Sequence, residues 1–204
     1  MLMTYRAADP SEELNDLALF LSRVGMSLMA ALASRDVYTH QHCGRVVELS
    51  DRLGRAMGLM PHELDVLRLG AAFHDIGKIG IEDSILFKPG PLNAEERLII
   101  ERHPLIGAQI LGEIQHSLTP ELTDCVRHHH ERMDGKGYPD GLSGDEIPLS
   151  SRIIAVVDCY DALISRRSYR QSFSRDGALA VIKAECDTHL DPEVVDVFMR
   201  FDGC

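Results

Sequence analysis

Tryptophan is absent from this 204-residue chain, and aromatic residues together make up only 5% of it. A hydrophobic core therefore has to be built from Leu, Ile, Val, Ala and Met, and this mixture favours helices. The chain is long enough to bury such a core, and its length suits one domain or one domain with a short extension.

Positive charge is also scarce, because 21 Lys and Arg residues stand against 32 Asp and Glu residues, for a net charge of -11. This balance excludes a protein that coats nucleic acid by general electrostatic attraction, so we expect no DNA partner. An anionic substrate would need a local positive feature. A cluster of bound metal ions would supply one.

Paired cysteines and long apolar runs are missing as well. The five cysteines form no CxxC pair, which predicts free thiols in a reducing cytoplasm. No apolar run approaches the roughly 18 residues that a membrane span requires, and the first residues lack the apolar centre of a signal peptide. We therefore expect a cytoplasmic protein without membrane contact.

Apolar residues recur at three- to four-residue spacing along most of the chain, which predicts an all-α fold of about nine helices. Two glycine- and proline-rich stretches, 75–92 and 132–149, break this pattern and are predicted to be long functional loops. The predicted helices cover 12–34, 42–57, 61–74, 93–103, 104–115, 119–130, 150–165, 174–187 and 192–201.

Histidines concentrate near the predicted helix ends, and the sharpest signal is His74-Asp75 at the end of an apolar helix. An imidazole and a carboxylate from one turn suit a cation with nitrogen and oxygen ligands, such as Fe or Mn. The carboxylate can also bridge two metals. Taken alone, however, a His-Asp pair is common by chance and is weak support for a metal site.

The motifs that accompany this pair form an ordered series. His74-Asp75 opens a His-Asp-Ile-Gly-Lys-Ile-Gly-Ile stretch and is followed by Arg102-His103-Pro104, by the run from His129-His130-Glu131 to Gly137-Tyr138-Pro139, and by Asp158-Cys159-Tyr160-Asp161. In this order the motifs resemble the HD-GYP family from about residue 38 to about residue 201. The resemblance implies an all-helical HD domain at 38–204, with five ligand-bearing helices, and a helical extension at 1–37.

The resemblance further implies a two-metal site with Asp75 as the bridging ligand and water completing each metal's shell. Adjacent His129 and His130, if helical, would point about 100° apart and reach different positions around the cluster. Some family members hold a third metal through a glutamate, but Tyr38 stands at that position here, so we expect two divalent ions, Fe or Mn. The implied metal ligands are His42, His74, Asp75, His103, His129, His130 and Asp158.

The substrate-binding residues are also implied by the resemblance. Asp75 and Lys78 would serve catalysis, with Lys78 reaching the scissile phosphate, while Arg167 and Arg170 would hold the nucleotide phosphates. Gly137 and Tyr138, in the loop that gives the family its name, could contact the substrate or a regulatory protein. Two departures, Met133 for an aromatic residue and Ser168 for proline, leave the packing near this loop and the turn beside Arg167 open.

The implied reaction is hydrolysis of cyclic di-GMP to the linear dinucleotide pGpG, with further cleavage to GMP left open, through a hydroxide that bridges the two metals. Two alternatives remain at this point: an HD phosphohydrolase acting on another cyclic dinucleotide or nucleotide, and a non-catalytic module that binds cyclic di-GMP or docks partners. The N-terminal helix could mediate a homodimer.

The remaining polar residues near the motifs have less specific interpretations. His62, His116 and His189 are expected to be surface or capping residues, and His128 to face solvent or packing. Three carboxylates either orient the ligating histidines or make ordinary helix-end and loop hydrogen bonds; they are Glu131, Asp134 and Asp161.

Overall fold

A computed structural model describes residues 37–165 and 172–202 of the chain, with the side chains of 42–165 and 172–200. These residues form α-helices and two 3-10 helices, and no strand occurs among them. The predicted all-α class is confirmed. In chain order the α-helices are α1 (Val37–Ala56), α2 (Pro61–Phe73), α3 (Asp83–Leu86), α4 (Ala94–Ile100), α5 (His103–Gly112), α6 (Thr119–Arg127), α7 (Leu149–Ile164), α8 (Arg175–Ala184) and α9 (Pro192–Asp202).

Local sequence signals set most helix boundaries. Gly58 follows the end of α1 with φ of 80°, a left-handed conformation that glycine adopts without steric cost. At the start of α4, Asn93 Oδ1 accepts a hydrogen bond from Glu96 N, and Glu96 Oε2 accepts one from Asn93 N. These reciprocal hydrogen bonds form a capping box, which satisfies two backbone N–H groups at the start of the helix. Every helix predicted within the described residues is present, with ends shifted by a few residues.

Two predictions of local structure are wrong. The stretch 75–92 is not simply a loop, because it contains a 3-10 helix at Ile76–Gly80 as well as α3, and the stretch 132–149 likewise contains a 3-10 helix at Gly144–Glu146. The sixth helix ends at Arg127, before the histidines, and His129 and His130 lie in the turn that follows it. The two imidazoles therefore do not point 100° apart on a helix; their ring centroids are 4.1 Å apart, with 42° between the planes.

The long helix α7 lies at the centre of the fold and packs against α1, α2, α6, α8 and α9. Its buried residues, including Ile154 and Val157, join one large apolar cluster with Leu53, Leu67 and Phe198. A second, smaller cluster gathers residues from α1, α2, α5 and α6. Among the described residues, no helix combines the length and apolar character that crossing a bilayer would require.

The predicted helix at 12–34 lies outside the described residues, and so does the segment that carries Arg167, Ser168 and Arg170. Tyr38 belongs to α1, but its side chain is outside the described part of the chain. The division into an extension at 1–37 and a domain at 38–204 stays a prediction.

Candidate metal centre

The five helices that supply the predicted ligands meet at one place. His42 lies inside α1, and Asp158 lies inside α7. The other ligands lie at helix ends: His74 and Asp75 directly follow α2, His103 is the first residue of α5, and His129 and His130 follow α6. All of these side chains are buried or partly buried.

The ligand atoms form two groups. His42, His74 and Asp158 make one, and His103, His129 and His130 make the other; within each group one donor atom from every residue lies within 4.8 Å of the others.

Asp75 lies between the two groups. Its Oδ2 is 3.5 Å from His74 Nε2 in the first group, and its Oδ1 is 3.4 Å from His103 Nε2 in the second. One oxygen therefore faces each group, which is the arrangement required of a bridging carboxylate. The structure thus brings together all seven predicted residues, and their binding of metal stays a prediction.

Three histidines are oriented by the carbonyl groups at helix ends. His74 Nδ1 lies 2.8 Å from Ala71 O, His103 Nδ1 lies 2.8 Å from Ile100 O, and His129 Nδ1 lies 2.7 Å from Val126 O. Carbonyls in the last turn of a helix lack intrahelical partners, so a histidine three residues further on can satisfy one of them. Because a carbonyl only accepts, each Nδ1 must carry a hydrogen, and in the neutral ring Nε2 is then the atom whose lone pair faces the centre.

Burial keeps the second group of imidazoles uncharged. It lowers the pKa of His103 to about 4 and that of His130 to about 3, and it lowers the pKa of His129 well below the ordinary histidine value. At neutral pH these rings are therefore neutral, the form in which imidazole binds a metal ion.

The carboxylates of the centre are ionised. Burial alone would raise the pKa of Asp75, but the charge and hydrogen bond of Lys78, together with His74 and His103, outweigh that effect and hold the pKa well below the usual range. Burial would raise the pKa of Asp158 as well, but its hydrogen bond with His42 and the electrostatic effects of His74 and His42 together lower that pKa. For His42 burial acts in the opposite direction and lowers the pKa, but hydrogen bonds with Asp158 and Asp161 outweigh it and raise the pKa to about 9. A cation bound by the first group, His42, His74 and Asp158, would therefore displace a proton from His42.

The donor set fits a pair of divalent cations. His103 Nε2 and His129 Nε2 lie 3.4 Å apart, and both atoms carry lone pairs because both Nδ1 atoms donate to carbonyls. Two buried lone pairs at this distance repel each other, and a cation between them would remove the repulsion. His42 Nε2 and His74 Nε2 are also 3.4 Å apart in the first group.

Lys78 lies beside the bridging carboxylate. Its Nζ donates to Asp75 Oδ2 over 2.6 Å, and about a quarter of its side chain is exposed, at 26%. The Lys78 side chain therefore contacts the centre through its ammonium group and is also partly exposed to solvent.

The Gly-Tyr-Pro loop folds back over the second group. The Tyr138 ring packs beside His130, with centroids 4.9 Å apart, and Tyr138 N donates to His130 O. Gly137 approaches the chain so closely that a Cβ atom there would lie 2.4 Å from Glu131 Cα. Glu131 Oε1 accepts hydrogen bonds from the backbone of Asp140 and Gly141. Glycine at 137 and the carboxylate at 131 therefore hold Tyr138 beside the predicted ligand His130.

The other carboxylates and histidines near the centre make different contacts. Asp161 orients a predicted ligand, since its Oδ2 lies 2.7 Å from His42 Nδ1, whereas Glu131 supports the loop and Asp134 pairs with Arg132. His116 Nδ1 accepts from Leu118 N, as expected of a capping residue. His128 is buried and its Nε2 lies 2.9 Å from Asp140 Oδ2.

Sequence reasoning missed Arg45, whose guanidinium binds Asp161. The available signal was its position three residues after His42, which places both side chains on one side of α1.

Comparison with known proteins identifies the family. A family model described as HD domain matches residues 8–194. The cyclic di-GMP phosphodiesterase response regulator RpfG of Xanthomonas campestris is 39% identical over 173 residues, covering 85% of this chain and 46% of the relative. A cyclic di-GMP phosphodiesterase of Vibrio cholerae is 40% identical over 190 residues, covering 87% of this chain and 39% of the relative. This chain thus spans less than half the length of either relative.

Solved structures agree on the fold. The crystal structure of a cyclic GMP-AMP specific phosphodiesterase of V. cholerae superposes with a TM-score of 0.68 at 23% identity, covering 88% of this chain and 48% of that one. The family match and these relatives confirm the resemblance that the ordered motifs indicate. The chain belongs to the HD domain family and is of its HD-GYP type.

Proposed function

We propose that this chain is a metal-dependent phosphodiesterase that hydrolyses a 3′–5′ phosphodiester bond of cyclic di-GMP. The observation that carries the proposal is the close pairing of Nε2 atoms in two histidine groups, with one oxygen of Asp75 facing each group. This arrangement suits two cations held by one carboxylate. The proposed ligands are His42, His74, Asp75, His103, His129, His130 and Asp158.

The donor types favour iron or manganese. Five imidazoles and two carboxylates form a nitrogen and oxygen set without thiolate, which suits Fe(II) or Mn(II) better than a soft cation. We propose two ions rather than three, because Tyr38 stands where the third ion's glutamate would be. When bound, two such ions supply a nucleophile from water and neutralise the charge that develops on the phosphoryl oxygens.

The protein's own groups would bind and orient the phosphodiester. Asp75 would keep the two histidine groups at a fixed separation, and Lys78 would turn its ammonium from Asp75 to a non-bridging phosphate oxygen. Tyr138 would border the position of the nucleotide, since its ring lies against His130. Arg167 and Arg170 are proposed to bind the remaining phosphate charge through their guanidinium groups. In the reaction a water-derived oxygen would bond to phosphorus as the bond from phosphorus to the ribose 3′ oxygen breaks, and the 3′ oxygen would take up a proton, which yields pGpG.

The choice of cyclic di-GMP rests on the relatives. Two proteins that share 39% and 40% identity with this chain are named as cyclic di-GMP phosphodiesterases. A second candidate is cyclic GMP-AMP, because curated relatives that share 36% and 38% identity are named as 3′3′-cGAMP-specific phosphodiesterases. Both substrates contain the same phosphodiester bond, so the metal centre alone does not separate them.

We also propose a cytoplasmic location and protein partners. The four described cysteines, Cys43, Cys125, Cys159 and Cys186, are free thiols, which supports a reducing compartment. The Gly-Tyr-Pro loop is a candidate surface for a regulatory protein, and the predicted helix at 12–34 is a candidate for homodimer contacts.

The decisive experiment combines metal content with turnover. The chain is purified anaerobically, metals are counted per chain, and the Fe(II)- or Mn(II)-loaded protein is offered cyclic di-GMP, cyclic GMP-AMP and cyclic di-AMP. We expect two metals per chain and the fastest hydrolysis for cyclic di-GMP, with pGpG as the first product; its conversion to GMP is followed in the same assay. Nucleotide binding without turnover by the loaded protein would instead indicate a binding module.

A further inference from the structure

His42 is held differently from the other ligands. His74, His103 and His129 use carbonyls at helix ends, whereas His42 Nδ1 lies 2.7 Å from the carboxylate oxygen Oδ2 of Asp161. The cause is its position inside α1, where the backbone carbonyls are already committed to helical hydrogen bonds. A ligand in the middle of a helix needs a side chain to orient its ring, and Asp161 on α7 supplies it.

The Asp161 carboxylate is completely buried, with 0% of its side chain exposed. A buried carboxylate is stable only when its oxygens are paired and hydrogen-bonded. Arg45 provides this through two contacts, from Nε to Oδ1 at 2.6 Å and from Nη2 to Oδ2 at 2.9 Å. Ser165 Oγ adds a third contact to Oδ2 at 3.2 Å.

These contacts connect Arg45 to the metal centre through Asp161 and then His42. Arg45 fixes the plane of the Asp161 carboxylate, and Asp161 fixes the hydrogen of His42 on Nδ1. The Nε2 atom of His42 then lies 3.4 Å from His74 Nε2 and 3.2 Å from Asp158 Oδ1. Arg45 and His42 lie on α1, while Asp161 and Asp158 lie on α7. The same contacts therefore fix how these two helices bring a histidine and a carboxylate to one metal.

We propose that Arg45 and Asp161 are positioning residues of the metal centre, which together hold His42 in the orientation and tautomer that bind a cation. The inference rests on the proposed metal centre and is independent of the nucleotide that the enzyme cleaves. Partners of this kind typically change metal affinity by about 10- to 100-fold when they are removed.

Two substitutions separate the parts of the network. Asp161→Asn keeps the volume but can present an amide N–H to His42 Nδ1, which selects the tautomer with hydrogen on Nε2 and blocks the metal-binding atom. Arg45→Lys keeps the charge, but a single ammonium cannot span both carboxylate oxygens as the guanidinium fork does.

The test measures Mn(II) affinity of the metal-free protein by calorimetric titration, beside its unfolding midpoint in the presence of a chelator. We expect Asp161→Asn to weaken Mn(II) binding by the group of His42, His74 and Asp158 by about tenfold or more. Arg45→Lys should weaken it by a smaller factor. In the Zn(II)-loaded wild-type chain, the ¹⁵N NMR signals of the His42 imidazole should show hydrogen on Nδ1 and metal on Nε2. The Asp161→Asn chain should lose that signature.

The matched control is Asp51→Asn. Asp51 on α1 accepts a hydrogen bond from Arg68 Nε on α2 at 2.6 Å, so this pair also joins α1 to another helix, and neither residue is a predicted ligand. Its loss should leave Mn(II) affinity unchanged. Unchanged affinity in Asp161→Asn, or equal losses in both variants, would overturn the positioning role alone. A wild-type chain that takes up no Mn(II), Fe(II) or Zn(II) would overturn the metal centre itself.

Discussion

Gly77 packs directly on the backbone of His103. A Cβ atom at position 77 would lie 1.9 Å from His103 O and 2.5 Å from Gly107 N, and both of these atoms belong to the backbone of α5. The 3-10 helix that follows Asp75 is therefore seated against the start of the helix that presents His103. Because no side-chain movement can relieve such contacts, this position admits only glycine.

The first prediction follows from this contact. Gly77→Ala should lower the free energy of unfolding by about 3 kcal/mol or more, because the backbone of α5 must shift to make room. It should also reduce metal content, since His103 moves with that backbone. Chemical denaturation and metal analysis of the purified variant check both effects.

Gly44→Ala is the matched control, because a Cβ atom at this exposed helical position meets nothing within 4 Å. Alanine is favoured over glycine within a helix by about 1 kcal/mol, so this variant should be as stable as the wild type or more so. Equal stability of the two variants would show that position 77 is not tightly packed.

The second prediction concerns the carboxylate between the two histidine groups. Asp75→Asn keeps the size of the side chain but removes the charge that two cations would share, so we expect less than one metal per chain and a loss of turnover of about 100-fold or more. Helical content should persist, because the helices depend on the apolar clusters rather than on this group. Full activity in the metal-loaded variant would contradict the bridging role of Asp75.

Much of this centre was predictable because its residues carry local signals. His74 and His129 each follow the end of a helix and reach back three residues to a backbone carbonyl, a relationship that depends only on neighbouring sequence. The ordered motifs then pointed to the seven residues that the structure brings together. The helices were predictable for the same reason, since apolar spacing and capping residues act within a few turns.

The features that were missed depend on contacts between distant segments. The 3-10 helix after Asp75 exists where Gly77 meets α5, and nothing near position 77 in the sequence announces that contact. Arg45 and Asp161 are 116 residues apart, so their pairing appears only once α1 and α7 are packed together. The turn at His129 and His130 was mistaken for helix because the apolar pattern of α6 contains no breaker before it.

The third prediction concerns the support of the Gly-Tyr-Pro loop. Glu131 is buried, and its Oε1 accepts hydrogen bonds from Asp140 N at 2.7 Å and Gly141 N at 3.0 Å. Glu131→Ala leaves both donors without this partner and should cost about 2 kcal/mol of stability or more. It should also loosen Tyr138 from His130, which limited proteolysis of residues 132–143 would detect.

Glu131→Gln is the control, because its amide oxygen can still accept from both N–H groups. The glutamine variant should therefore lose less stability than the alanine variant and should keep the loop resistant to protease. If both variants resist protease as the wild type does, the loop is held by other contacts.

The fourth prediction is a pH dependence set by Asp140. Arg127 binds this carboxylate with two hydrogen bonds, from Nε at 2.6 Å and Nη2 at 2.8 Å, and these bonds hold the pKa of Asp140 at about 2. The unfolded chain has an aspartate pKa of about 4. Because the folded pKa is the lower one, the stabilisation is fully present above about pH 4 and disappears as the pH falls towards 2.

Asp140→Asn should therefore lower the urea midpoint of the metal-free chain at about pH 5, and its difference from the wild type should shrink at about pH 3. In an Arg127→Gln background the same substitution should have a smaller effect at the higher pH, because the partner that lowers the pKa is gone. A midpoint difference that is independent of pH would show that the carboxylate contributes through shape rather than charge. Asp140 also contacts His128, which precedes the predicted ligands His129 and His130, so the same series measures how strongly this contact holds the loop to that turn.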